Sequence, residues 1–214
     1  MKSLPRRIAA DTHYNLVGLP TSIASFSLTI AGIAAGVGSL VAVVGLPVLA
    51  GTGAMARTFA DHERAALTEV VDQPLERPHY AAAPAGAGWF RRALNPLASG
   101  QTWMDLLHAI VTFPLSLVSF VLTVVWWAGA IAGLTFPLYG WILYRIPDFH
   151  SSLPELLGLG SDLTTYVVFN TALGVAFAVT LPVVVRLAAL TRASMAQILL
   201  TRPAYAPRLY AAAA

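Results

Sequence analysis

The 214-residue sequence contains no cysteine, and only 11% of its residues are charged. The first absence excludes disulfides and thiolate metal sites, and it removes cysteine as a guide to redox compartment. The second excludes an ordinary soluble domain, which carries about 25% charged residues. The shortage is also uneven. No Asp, Glu, Lys or Arg occurs in residues 12–56, 106–144 or 163–185, runs of 45, 39 and 23 residues. A spanning helix needs about 20 apolar residues, so these runs hold two, one and one. The expected spans are 14–35, 39–56, 103–134 and 164–188, with the first run turning back at Gly36-Val37-Gly38. Even the least apolar span inserts favourably. Its core, residues 163–185, has 12 Leu, Val or Phe, together contributing about −5 kcal/mol on the insertion scale.

What is present fits a membrane protein. Hydrophobic residues make up 57% of the chain, and the pI is near 9.5. Nucleic-acid binding is not needed to explain that pI, because 12 of the 13 basic residues flank spans on one side and only Arg145 falls on the other. Positive residues stay inside, so both termini and the loop 57–102 are expected in the cytoplasm, with 135–162 as the outer loop. The plasma (inner) membrane follows as the location. Lys2, Arg6 and Arg7 before an apolar run resemble a signal peptide, but the run far exceeds a signal core and reads as a retained helix.

The inner loop has three parts. Arg57–Asp72 reads as an amphipathic helix, with Phe59, Ala60, Leu67, Val70 and Val71 on one side and Asp61, Glu63, Arg64 and Glu69 elsewhere. A Pro/Ala/Gly linker covers 73–88. Trp89, Phe90, Ala93, Leu94 and Leu97 then form a narrow apolar stripe beside Arg91 and Arg92. That pattern suits an anionic headgroup layer, and equally a protein surface. The outer loop carries Tyr139, Trp141, Tyr144, Asp148 and His150, the candidate outer-face sensing residues, and a short helix is expected near 152–160.

An internal repeat is visible. Leu19–Thr29 (LPTSIASFSLT) aligns without gaps to Phe113–Thr123 (FPLSLVSFVLT), and Leu46-Pro47 aligns more loosely to Leu181-Pro182, setting Arg57 opposite Arg192. The fold class expected is therefore an all-α membrane protein of four transmembrane helices, built as two parallel helix-hairpin repeats with short cytoplasmic amphipathic helices. Residues 1–202 form one domain and 203–214 a cytoplasmic tail. Pro20 and Pro114 remove helix hydrogen bonds, which Ser22, Ser25, Ser116 and Ser119 are placed to offset.

Little of the sequence carries chemistry. Gly32-x-x-x-Gly36 and Gly129-x-x-x-Gly133 would let helices approach closely, within one chain or between copies. Asp105 and His108 lie one turn apart where span three begins, and Trp103 sets a boundary there, so headgroup or partner contacts are favoured over proton relay. The five histidines show no metal spacing, and no phosphate loop, nucleophile elbow or kinase motif occurs. No catalytic residue, metal or cofactor is expected, nor are buried charges of the kind an ion pathway needs.

The order of segments resembles a known family. YNLVGLP is followed by a Gly-rich double span ending VVGLPVLA, then WFRRALNP and TWMDLLHAIVTFPLSLVSFVLTVV, then FPLYGW and RLAALTRASMAQILL. Over about residues 13–202 this is similar to the sensor domain of actinobacterial two-component histidine kinases, which also occurs as a stand-alone membrane protein. The resemblance implies signal perception and assigns no ligand residues. After Leu200 the chain reads TRPAYAPRLYAAAA, without the phosphoacceptor helix or ATP-binding domain of such kinases, so kinase activity is not implied. The expected function is a non-enzymatic sensor relaying an envelope or membrane stimulus to a cytoplasmic partner. The competing expectation is an accessory subunit of a larger complex, such as an ABC-type exporter or respiratory assembly. Partners are then the lipid bilayer and a protein: a kinase, a transporter subunit or a second copy.

Overall fold

The computed structural model describes residues 3–42, 44–71, 78, 80, 82–84, 86–146 and 153–200. Among the described residues every regular element is helical: α1 (Leu4–Gly38), α2 (Gly45–Val71), α3 (Trp89–Ala93), α4 (Gly100–Leu143), α5 (Leu153–Leu156) and α6 (Leu163–Leu200). Short 3-10 turns at Leu40–Ala42 and Asn95–Ala98 follow α1 and α3. Three helices, α1, α4 and α6, are long and apolar enough to cross a membrane.

Helix α2 is not among them, and its composition says why. Its first half, 45–56, is uncharged, but its second half carries Arg57, Asp61, Glu63, Arg64 and Glu69. It nevertheless runs antiparallel along α1. Gly36 meets Leu49, Gly32 meets Thr52, and Tyr14 meets Glu63.

Several boundaries differ from those read in the sequence. Helix α1 begins ten residues before Tyr14, with Pro5 in its first turn, where a missing N–H costs nothing. Gly36-Val37-Gly38 stays helical, and the reversal falls on Ser39 and the 3-10 turn. There the Ser39 amide caps Ala35 at 3.0 Å. Gly45 then starts α2 against the Gly36 carbonyl, where a side chain would collide. The expected second span and amphipathic inner helix are one continuous element. FPLYGW lies inside α4, whose 44 residues measure about 66 Å along the axis, over twice a bilayer core of about 30 Å. Ser152 lies outside the described residues, while α5 ends before Gly158, whose φ of +70° suits glycine.

The chain divides into two compact units, residues 1–120 with 188–214, and residues 121–187. In the first unit, Tyr14, Ala60, Leu67, Val70, Ala189, Ala193, Ala196 and Leu200 form one apolar cluster. The three- and four-residue spacing on α2 and α6 puts each set on a single face, and the small α6 residues let α2 approach. Further along α1 and α4 the buried positions become hydroxyls. Ser22, Ser25 and Thr29 occupy one helix, and Thr112, Ser116 and Ser119 the other. Ser119 donates to the Ala188 carbonyl at 3.3 Å, and the Phe26 and Phe113 rings stack at 4.7 Å. Val17, Ile23, Leu28, Ile30, Leu117 and Val118 point outward. Hydroxyls inside and aliphatics outside is the distribution expected of helices in lipid.

In the second unit, α4 and α6 cross at glycines. A methyl at Gly133 would overlap the Gly174 backbone, and one at Gly129 would press on the Phe177 ring. Trp126 packs edge-on to that ring at 5.3 Å and donates to Thr180 at 3.0 Å. Gly133→Ala is expected to cost about 1–3 kcal/mol by overpacking, whereas Gly51→Ala, with nothing within 4 Å, is expected to be neutral or better. Thermal unfolding in detergent checks the pair. Equal melting temperatures would remove the close crossing from the account.

Candidate functional site

Helix α2 buries Ala60, Glu63, Arg64, Leu67 and Val70 together, so two charges share its apolar face. Each finds a partner on other helices. Arg192 of α6, 1% exposed, donates from Nη2 to both Glu63 carboxylate oxygens at 2.8 Å and from Nη1 to the Tyr14 carbonyl at 2.8 Å. Its guanidinium lies 4.1 Å from the Tyr14 ring centroid, and the Tyr14 hydroxyl donates to Glu63 at 2.6 Å. Gly18 makes this possible, because any side chain there would occupy the space of the guanidinium. One ion pair thus joins α1, α2 and α6.

Arg64 makes the second junction. It donates to Asp105 at 2.9 Å, to Asp61 at 2.7 Å and to the Tyr80 hydroxyl at 3.1 Å. Its Nε–H reaches the Leu200 carbonyl at 3.2 Å, and Gln101 donates to Leu199 at 3.2 Å and to Asp105 at 3.2 Å. Arg64 of α2 and Gln101 of α4 thus both hold carbonyls of the last described turn of α6. Tyr80 donates to the other Asp105 oxygen at 2.8 Å. Burial, reinforced by that bond, pushes its hydroxyl up to about 12, so it remains a neutral donor at neutral pH. Beside it, Arg57 lies 4.3 Å from the Tyr80 ring and donates to Thr102 at 2.9 and 2.6 Å and to the Pro96 carbonyl at 3.2 Å.

A cleft of about 250 Å³ opens onto the Glu63–Arg192 pair, lined by His13, Tyr14, Gly18, Thr21, His62 and Glu63. A smaller space of about 20 Å³ is bounded by Ser22, Ser25, Phe59, Glu63, His108 and Thr112. That second space admits only a water-sized group. His108 turns a buried Nε2 with no hydrogen-bond partner in this region. No group of three or more His, Asp or Glu side chains suited to a metal occurs among the described residues.

Over residues 14–200 the sequence matches the family model described as “Putative sensor”. The chain belongs to this family. No curated protein and no solved structure matches it. With its three long apolar helices, the chain is a membrane-embedded domain of the sensor type.

The sensor domain places the sequence candidates unevenly. Asp105 and His108 are buried at the junction, not exposed at a boundary. Trp89, Phe90, Arg91 and Arg92 are all exposed on α3. Gly32 and Gly36 pack on Thr52 and Leu49 of the same chain, and Gly129 and Gly133 on Phe177 and Gly174. Tyr139 donates to Ala132 at 3.0 Å, Trp141 to Leu138 at 2.9 Å and Tyr144 to Ser161 at 2.9 Å. Phe136 and Tyr166 sit among the tyrosines, 5.1 Å apart. Asp148 and His150 lie outside the described residues.

Sequence reasoning missed Tyr14, Glu63, Arg64 and Arg192. Glu63 and Arg64, read in the sequence as lying off the apolar side of their helix, are buried together with Asp105 and Arg192. A usable signal was present. Counting back from Leu67 in steps of three and four lands on Glu63, Arg64 and Ala60, so the apolar stripe of α2 already contained the charges.

Proposed function

We propose that this sensor-type domain perceives an envelope or membrane stimulus and reports it to a cytoplasmic protein through the carboxyl end of α6. The observation that carries this reading is the Arg64–Asp105–Gln101 junction, which ties the Leu199 and Leu200 carbonyls to α2 and α4. A stimulus that shifts α2 or α4 would act on α6 at that point. Two-state relay requires two packings of comparable free energy, and Arg64, which holds Asp61, Tyr80, Asp105 and the Leu200 carbonyl together, is where such packings would differ.

The same geometry supports four crossings with both termini inside. The start of α1, the end of α2, the start of α4 and the end of α6 all meet in the first unit. That meeting fits α2 returning along α1 as a fourth span, with its buried Glu63 and Arg64 paired to Arg192 and Asp105. Matching environments support the repeat. Ser22 and Ser25 correspond to Ser116 and Ser119, all buried, and Arg57 and Arg192 each stack on a tyrosine.

In-cell photo-crosslinking from Ile198 and His62, both exposed, tests the role. Capture of a histidine kinase or response regulator is the expected result. Capture of exporter or respiratory subunits instead would replace the sensing role by the accessory one.

A further inference from the structure

We propose that α3, with Trp103 of α4, is a docking surface for anionic phospholipid headgroups. All five α3 residues are exposed, and Trp89 is 79% exposed. Adjacent aromatics left open together form the kind of apolar patch that marks an interaction surface. Trp89 and Phe90 meet edge to face at 5.6 Å, forming one apolar wedge.

Charge selects the occupant. From Arg77 to Met104 the sequence has no Asp or Glu, while Arg91 and Arg92 stand beside the wedge without an acidic partner among the described residues. A protein surface would have to supply both anions at matching positions. An anionic leaflet supplies phosphates everywhere, and guanidinium groups bind them in forked pairs.

Position selects it as well. The Asn95–Ala98 turn joins α3 directly to α4, a helix apolar enough to cross a membrane. Arg57 fixes that turn through the Pro96 carbonyl. Trp103, 54% exposed, donates to the Leu97 carbonyl at 3.3 Å, and Met104 and Leu107 continue its exposed side. Indole groups with a polar edge and an apolar face settle at the lipid–water boundary. The wedge, the arginines and the boundary tryptophan therefore sit where a membrane-crossing helix starts.

Hydrogen exchange of residues 88–94 is to be measured in nanodiscs of phosphatidylcholine alone and of phosphatidylcholine mixed with phosphatidylglycerol. Exchange of α6 serves as the internal check on folding. Two arginines near an anionic surface, at about 1 kcal/mol each, predict roughly 30-fold slower exchange in the anionic discs. The doubly substituted chain, Arg91→Gln with Arg92→Gln, is expected to lose that difference, and added salt to shrink it. Equal exchange in both lipids would overturn the proposal. So would protection that rises with protein concentration rather than with phosphatidylglycerol, which would mean a protein surface covers α3.

Discussion

Arg192→Ala is expected to destabilise the domain by about 3–5 kcal/mol, because it leaves the Glu63 carboxylate buried and unpaired. The same change frees the Tyr14 carbonyl and removes a guanidinium stacked on the Tyr14 ring. Arg192→Lys is expected to recover only part of the loss, since an ammonium cannot reach both Glu63 oxygens and the carbonyl from one planar fork. Removing the pair together behaves differently. Arg192→Met with Glu63→Gln is expected to fall well short of the two single losses added, because the penalty lies in the orphaned charge and not in the absent bridge. Thermal or denaturant unfolding in mild detergent gives the cycle. Simple additivity would mean the two side chains do not share a buried site.

Arg64→Ala is the second large effect, about 3 kcal/mol, because the buried Asp105 carboxylate loses its cation and keeps only the neutral donors Tyr80 and Gln101. Its signature is local as well as global. With Arg64 gone, the Leu200 carbonyl loses its donor, and only Gln101 still holds the preceding one. Hydrogen exchange in the last turn of α6 should therefore accelerate more than exchange elsewhere in that helix. Adding Asp105→Asn should restore much of the stability but not the slow exchange at the end of α6. If both recover together, the junction stabilises the bundle without restraining α6, and the relay reading loses its support.

The membrane character was legible because it rests on one strong constraint. Charge-free runs of 45, 39 and 23 residues leave few alternatives to helices in lipid. Family membership was equally legible from the order of segments. Helix ends were less so. The Gly36–Gly38 stretch looked like a turn because glycine permits one, yet a helix pressed against Leu49 also needs residues without side chains. The junction was hidden for a different reason. Glu63 and Arg192 lie 129 positions apart and Arg64 and Leu200 136 apart, so no local pattern joins them. Reading charged residues as a solvated face is sound in water. It fails where four helix ends meet and each charge finds its opposite on a neighbour.

In the proposed four-crossing bundle, α2 returns along α1 despite its charged second half. The absence of native cysteine allows a direct test by single-cysteine labelling in intact and permeabilised cells. Val41, 98% exposed in the turn after α1, should react as Val41→Cys with a membrane-impermeant maleimide from outside. Thr68→Cys, exposed on the second half of α2, should react only after permeabilisation. Labelling of both positions from the same side would contradict the fourth crossing and the shared inner junction that depends on it.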